Sequence, residues 1–336
     1  NDHKTSILII TGISVTALTG YCGYRCYCAL RMSENKMEVI PDLQWNKVGV
    51  LNELFIYPIK SCGSVKIDSI ECTKIGIKQG VLGDRMFMIE RNGAFTTARQ
   101  FPRIVLIKPT LKKNDAANVW FSAPGMSDIC VNIDELHKQK PFHTKVWNDN
   151  VDGIDCGDEV ADWLSKFTLE DRYRPDNKLR LVFYPYPYPT RAGGGDFHVQ
   201  KEDTGAYHDL SSVMLMCENS VNELNSRLEK NIKPLQLRPN FVVKGPESFA
   251  EDNWKWIKIG EDVILKYVAP CTRCVFTTID PDTGIKSKDG QPLKKMKEYR
   301  MKPDAGDSPV FGANLGVRQF GIVKYGDPVY VGTEIA

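Results

Sequence analysis

Neither sign of charge is in surplus in this sequence. Across 336 residues, 44 lysines and arginines stand against 42 aspartates and glutamates, a formal net charge of +2. Without a basic excess the chain carries no electrostatic footprint for nucleic acid, and no nucleic-acid partner is expected. Several catalytic signatures are missing too: there is no G-x-G-x-x-G after a strand, no H-E-x-x-H, no G-x-S-x-G and no C-x-x-C-H. Their absence removes the dinucleotide fingerprint, the zinc peptidase helix, the hydrolase nucleophile elbow and attached c-type haem. Cysteine is present but without order. Of ten, three fall at Cys22, Cys26 and Cys28, and the other seven are too irregularly spaced for a disulfide framework, which points to a reducing compartment. The composition, 42% hydrophobic, 26% charged and 10% aromatic, excludes wholesale disorder and a polytopic membrane protein. The length suits one large or two medium domains.

An uncharged stretch runs from Thr5 to Tyr24. At about 1.5 Å per helical residue it spans roughly 30 Å, the thickness of a hydrocarbon core. A cleaved secretory signal needs a small-residue site, which Tyr21-Cys22-Gly23-Tyr24 before Arg25 does not supply. A buried core helix would show a polar face, and there is none. A single transmembrane signal anchor over 5–24 fits best. Arg25, Arg31 and Lys36 follow it while only His3 and Lys4 precede it, so the body is expected on the cytosolic side. Weak hydrophobicity with a basic C-terminal flank suits an anchor in the mitochondrial outer membrane. Because the chain opens at Asn1 rather than Met, a few residues are expected upstream.

From Val48 onward short β-rich runs dominate: Glu53–Ile56, Arg85–Ile89, Arg103–Ile107, Asn118–Phe121 and Val263–Val268. Few helices interrupt them. Asp158–Phe167 puts Val160, Trp163, Leu164 and Phe167 on one face behind an Asp158 cap, and Ser220 with Glu223 has capping-box spacing. Gly321–Val331 reads as a hairpin closing a small barrel. The fold class is α+β, β-dominated. A seam stands at Tyr184-Pro185-Tyr186-Pro187-Tyr188-Pro189, running into Gly193-Gly194-Gly195. Alternating proline cannot donate ladder hydrogen bonds, and glycines leave the backbone loose. We therefore expect an N-terminal β domain over 46–183 and a C-terminal one over 184–335. The seam between them is a mobile connection or a solvated loop, and a lid if it lines a cleft.

Three short motifs carry chemistry. Cys271-Thr272-Arg273-Cys274 has no second C-x-x-C or close His pair to complete a zinc site, and apparent strands on both sides disfavour a thioredoxin-type thiol. Two inert cysteines remain open, but the intervening Arg273 would ease thiolate formation and attract an anion. Lys60-Ser61-Cys62-Gly63 at a strand end offers an ammonium, a hydroxyl and free backbone N–H groups, which suits phosphate, without the order of a P-loop; an edge loop with a solvated lysine reads as well. In Arg238-Pro239-Asn240 the proline biases Arg238 toward an extended backbone. Arg238 and Asn240 would then share a side, beside a phosphate or a heterocycle edge. An internal salt bridge serves as well. Asp209 and Ser211 precede a β-like run and could cap a nearby helix. Asp280-Pro281-Asp282-Thr283-Gly284 is read as a turn rather than a calcium loop.

Together, Tyr57-Pro58-Ile59-Lys60-Ser61-Cys62, Gly83-Asp84-Arg85, Thr97-Ala98-Arg99-Gln100, Arg238-Pro239-Asn240 and Cys271-Thr272-Arg273-Cys274-x-x-Thr277-Thr278-x-Asp280-Pro281 stand in the order seen in the MOSC superfamily. The chain most resembles its mitochondrial amidoxime-reducing components, over nearly its whole length. The resemblance implies an N-terminal MOSC-type β domain and a C-terminal MOSC β-barrel domain. It also implies a molybdenum cofactor, molybdenum–molybdopterin, whose metal takes one protein cysteinate. By motif position that ligand is Cys274 and not Cys271. Lys60, Ser61, Arg85, Arg238 and Asn240 match positions that hold the pterin and its phosphate. Thr272 stands at a hydroxyl position, and Asp209 and Ser211 match residues lining the site. A soft thiolate suits a thiophilic metal, and the basic side chains offset the cofactor's phosphate and dithiolene.

The implied reaction is reductive removal of oxygen from amidoximes, hydroxamic acids and N-hydroxyguanidines, with Asp209 either relaying a proton or holding a static hydrogen bond. No haem, flavin or iron–sulfur motif stores the electrons, so a partner is required. The family's partners are cytochrome b5 and NADH-cytochrome b5 reductase on the cytosolic face of the outer mitochondrial membrane. The rival of another class is a carrier or maturation module for cofactor or sulfur, without turnover. A membrane-tethered scaffold with a degenerate site is weaker, because the ligand and its basic neighbours are present.

Overall fold

The computed structural model describes residues 38–113, 115–193 and 199–335. The chain divides into two units, Asn1–Ile40 and Pro41–Ala336, and the architecture that follows is that of the second. The expected anchor over 5–24 lies outside the described residues, as do Gly194 and Gly195 of the seam. Among the described residues no helix is long and apolar enough to cross a membrane.

Seven strands close into a barrel: β1 (Leu43–Ile56), β2 (Val213–Cys217), β3 (Phe241–Lys244), β4 (Trp256–Ile259), β5 (Val263–Thr272), β6 (Val310–Gln319) and β7 (Pro328–Glu334). Around the barrel they run β1, β3, β2, β6, β5, β4, β7 and back to β1. Only the β2–β3 pair is parallel. Closure depends on β1. Its 14 residues pair first with β7, through Leu43–Val50, and then with β3, through Val50–Leu54. Register shifts at Lys47/Gly49 and Leu51/Glu53 give the bends that let one strand serve two neighbours. Closure removes the exposed edges that an open sheet of this size would present. Thus a strand from the 46–183 span completes a barrel otherwise drawn from residues 213–334.

The rest of that span forms smaller sheets. One has five strands, in the order Phe142–Val146, Asp149–Asp155, Arg180–Phe183, Phe87–Arg91 and Ala94–Thr96. Helix α1 (Asp158–Leu169) packs Val160, Trp163, Leu164 and Phe167 into the core. One continuous apolar core joins Leu51, Phe241 and Leu265 of the barrel to Phe87, Phe121 and Phe183 of the sheets. At about 1.5–3 kcal/mol per buried large side chain, this shared core is the main attraction holding the two parts together.

Several local expectations are corrected. Arg103–Ile107 is not a strand: Pro102 opens a 3-10 turn over Pro102–Leu106 that buries Ile104 and Val105. Helix α1 is entered through Gly157 at φ +96°, so Asp158 sits in the first turn rather than at the cap. Helix α2 (Glu218–Ser226) starts earlier than the capping-box spacing implies, and the Ser220 hydroxyl donates to the buried Glu251 instead. Gly321–Lys324 does not pair with β7 as a hairpin. It pairs with Ser69–Thr73, while β7 pairs with β1 and β4. Asp280 does form a turn, its carboxylate accepting from the N–H groups of Asp282 and Thr283.

The Tyr-Pro part of the seam is pinned, not loose. Tyr184 is fully buried, its ring edge-on to Tyr207 at 5.1 Å. Its hydroxyl lies 3.0 Å from both Tyr188 O and Thr190 Oγ1. Tyr207 then reaches the cleft described below. Its hydroxyl donates to Asp152 O at 2.8 Å, and its own carbonyl accepts from Lys60 Nζ at 2.8 Å. Gly153 makes room for this link, since a Cβ there would lie 2.1 Å from Val182 Cγ1 and 2.9 Å from Tyr207 Oη. Gly153→Ala should therefore cost about 1–3 kcal/mol by overpacking, read as a lower urea midpoint. An unchanged midpoint would show that the sheet absorbs the methyl without moving Tyr207.

Candidate active site

A cleft of about 200 Å³ collects every residue singled out from the sequence: Lys60, Ser61, Arg85, Asp209, Ser211, Arg238, Asn240, Thr272 and Cys274. Its lining carries five cationic side chains, Lys60, Arg85, Arg99, Arg238 and Arg273, against one carboxylate, Asp209. Such a wall is built for an anion.

The C-x-x-C motif spans the end of β5 and the start of a 3-10 turn, Val275–Thr278, so strands do not flank it on both sides. The Thr277 and Thr278 hydroxyls donate back to the carbonyls of Cys274 and Val275, closing the turn behind Cys274. This leaves Cys274 exposed at the cleft, whereas Cys271 is half-buried and its thiol is pushed up by burial. Arg273 does not face the thiols as a free cation. Its Nε and Nη2 donate to Phe311 O at 2.9 and 2.6 Å, and Nη1 donates to Leu237 O at 2.7 Å. It is a buried clamp that fixes the motif onto β6. Among the described residues, no three His, Cys, Asp or Glu side chains cluster as metal ligands, so Cys271 and Cys274 lack the partners of a structural zinc site.

Lys60 is buried and donates to Asp209 Oδ1 at 2.6 Å. Burial pulls the ammonium's pKa down, and Asp209 opposes it. Asp209 itself is two-thirds exposed. Enclosure by the cleft pushes its carboxyl up, but Lys60's charge and hydrogen bond, with a further bond from Trp147, hold it well below the usual range. It caps no helix. The Lys60–Gly63 loop is not a nest of free N–H groups, because Lys60, Cys62 and Gly63 donate to Phe87 O, Ile59 O and Ile107 O.

Behind the wall lies a buried hub. Asp84 accepts from Tyr57 N at 2.6 Å, from Arg85 Nη1, and from His208 Nε2 at 3.0 Å. His208 Nδ1 accepts from Ala206 N at 3.1 Å, which fixes the neutral tautomer with its proton on Nε2. Arg85 lies over the Tyr57 ring at 4.5 Å and Arg238 lies over it at 4.2 Å.

Arg238 is not extended. It ends the 3-10 turn Pro234–Leu237 in the left-handed region, at φ +56°. That backbone sends Nη1 to Cys62 O at 2.6 Å and places the guanidinium 5.0 Å from the Phe276 ring centroid. Nη2 is buried without a hydrogen-bond partner in the protein, and burial lowers the guanidinium's pKa to about 10. Ser61 and Arg85 also adopt positive φ, +69° and +49°. Unfavourable backbone gathered at one cleft is the usual companion of a functional site. Asn240, by contrast, is spent on the barrel: Oδ1 accepts from Met214 N at 2.9 Å and Nδ2 donates to Phe55 O at 3.1 Å. Ser211 Oγ lies 3.2 Å from Val213 O and 3.3 Å from Asn314 Oδ1, either of which can take its one proton. Thr272 ends β5, exposed at the cleft.

Residues 48–171 match the MOSC N-terminal beta barrel domain and residues 202–330 match the MOSC domain. The chain is 39% identical over 287 residues to mitochondrial amidoxime-reducing component 1 of Danio rerio, covering 84% of this chain and 85% of that protein. It is 38% identical to component 2 of Bos taurus, covering 84% and 83%, and 37% identical to component 1 of Homo sapiens, covering 85% and 83%. The chain belongs to the amidoxime-reducing component family of MOSC proteins.

In this family member the sequence motifs located the cleft but missed Asp84 and His208 as its support, and Trp147 at its rim. Gly83-Asp84-Arg85 was legible as a motif, yet Asp84's task depends on a histidine far along the chain. That hub makes a pH signature. His208 is held neutral by burial, with Asp84 opposing, so its pKa lies below 6.5. Burial raises Asp84, but Arg85, His208 and the Tyr57 N–H outweigh it, so its pKa lies below 3.8. Below about pH 6.5 the unfolded chain takes a proton on His208 that the native state refuses, so stability falls with pH there. Asp84 adds a further loss only below its own unfolded pKa. His208→Gln should flatten the decline in urea midpoint between pH 7 and 5. A variant profile parallel to wild type would assign that decline to other groups.

Proposed function

We propose that this protein is a molybdenum-dependent reductase of N-hydroxylated compounds, acting on amidoximes, hydroxamic acids and N-hydroxyguanidines. The observation that carries this reading is the pairing of an exposed thiol, Cys274, with a buried and unanswered Arg238 N–H in one cation-lined cleft. That donor set fits a group that is anionic at one end and thiophilic at the other. Cys274 would supply the single protein ligand to molybdenum, and Lys60, Ser61, Arg85 and Arg238 would hold the pterin and its phosphate. When bound, the cofactor supplies a two-electron centre able to accept the substrate's hydroxyl oxygen.

The chain's own side chains do the rest. Arg238 meets the anion with the N–H that the fold leaves unpaired, and Arg85 is kept at its post by Asp84. Ser211 and Asn240 stiffen the wall, since their polar atoms are engaged within the protein. Asp209, held by hydrogen bonds from Lys60 and Trp147, serves to orient. Each turnover converts N–OH to N–H plus water, consuming two electrons and two protons. We assign the electrons to NADH through cytochrome b5 reductase and cytochrome b5. The mitochondrial names of the relatives support a mitochondrial location, and we place the body on the cytosolic face of the outer membrane behind an N-terminal anchor.

Turnover of benzamidoxime with reduced methyl viologen tests the reading. Wild type should form benzamidine, Cys274→Ala should fall to background, and Cys271→Ala should keep most of its rate. Full activity in Cys274→Ala would overturn the ligand assignment. A wild type that retains cofactor yet turns over no N-hydroxy substrate would be a carrier instead.

A further inference from the structure

The mouth of the cleft is walled by side chains from outside the barrel. Trp147 sits in the hairpin between Phe142–Val146 and Asp149–Asp155, where Val146 pairs with Asp149 and only two residues form the loop. Its φ is +55°, a left-handed backbone that such a turn ordinarily gives to glycine. The residue is 44% exposed, although aromatic side chains of this size are mostly buried. Neither fact favours tryptophan for the sake of folding.

What the position gains is contact with the cleft. The indole Nε1–H donates to Asp209 Oδ1 at 2.9 Å. The guanidinium of Arg99, another lining residue, lies 4.7 Å from the ring centroid, and Phe95 meets the ring at 4.9 Å and 68°. Phe95 in turn carries the Lys60 ammonium at 5.3 Å. The indole is thus fixed by its polar edge to a lining residue, while nearly half of the tryptophan stays exposed.

We propose that Trp147 is a substrate-positioning residue whose exposed indole is the stacking surface for the planar aromatic end of an N-hydroxylated substrate. The proposal rests on the reductase reading above and deepens it. A flat aryl substituent gains dispersion and ring–ring contact there, and a methyl group gains little. Tryptophan at this turn therefore tilts selectivity toward aryl over small alkyl substrates.

The holoenzyme should be assayed with benzamidoxime and acetamidoxime as wild type, Trp147→Gly and Trp147→Phe. Glycine suits the left-handed backbone, so the first variant should fold, and phenylalanine keeps a ring without the N–H. In Trp147→Gly the kcat/KM ratio of benzamidoxime to acetamidoxime should drop about tenfold, with the loss in KM. Trp147→Phe should recover most of it. Equal losses on both substrates, or a Phe variant as impaired as the Gly variant, would reduce Trp147 to a prop for Asp209 and overturn the proposal. A second readout needs no turnover: titration of the ¹⁵N-labelled protein with benzamidine should shift the Trp147 indole resonance saturably, and Trp147→Gly should weaken benzamidine binding. If neither substrate is reduced, the reductase reading fails while this titration still decides the stacking site. An unmoved resonance would overturn it.

Discussion

A guanidinium buried between two aromatic rings, with one N–H unanswered by the protein, sets the terms for the whole cleft. Arg238 holds that position because its left-handed backbone aims it at Cys62 O and packs it over Tyr57 and Phe276. Withdrawing a charge from water costs several kcal/mol unless a partner repays it. Here the strongest charge interaction is repulsion from another cation, Arg85, which is itself paired with the Asp84 carboxylate. An anion bound in the cleft, as proposed above, would relieve the remaining imbalance. That one requirement accounts for the lysine and arginines, the strained backbone beneath Ser61, Arg85 and Arg238, and the buried hub behind them.

Rigidity comes from the barrel. β1 runs from its pairing with β7 into its pairing with β3, and its end leads directly into Tyr57 and Lys60. β5 ends at Thr272, and Arg273 is bolted to Phe311 O on the neighbouring strand β6. Lys60, Arg238, Arg273 and the cysteine therefore stand beside strand ends of one closed sheet, where a side chain is placed more firmly than on a free loop, while Arg85 comes from the turn before Phe87–Arg91. The rim is built differently. Trp147, Phe95 and Arg99 come from the smaller N-terminal sheet and its neighbouring turn, so the outer wall and the barrel's strand ends are contributed by different parts of the fold.

Much of this was legible in the sequence, and the failures have physical causes. β-rich runs and motif order point to the fold class, and the residues singled out from Lys-Ser, Arg-Pro-Asn and C-x-R-C do meet in one cleft, because such short motifs carry their chemistry with them. What failed was the assignment of task. Arg273 looked like an activator of thiolate, yet it is consumed by carbonyls that only the tertiary fold brings near. Arg238 looked extended because proline follows it, yet the 3-10 turn before it and the pull of Cys62 O override that local bias. Arg103–Ile107 had β composition, but the preceding proline and the core contacts of Ile104 and Val105 favour a tight turn. Trp147 gave no signal as a site residue, since nothing in Val146-Trp147-Asn148-Asp149 reveals a left-handed turn touching Asp209.

The central claim is that Cys274 and the cation wall hold one molybdenum cofactor. Elemental analysis by mass spectrometry, on the full chain purified from a host that makes molybdopterin, tests it most directly. Close to one molybdenum per chain, with little zinc, is the predicted result. Stoichiometric zinc without molybdenum, from a host that loads a control molybdoenzyme in parallel, would contradict it and return the C-x-x-C to a structural role.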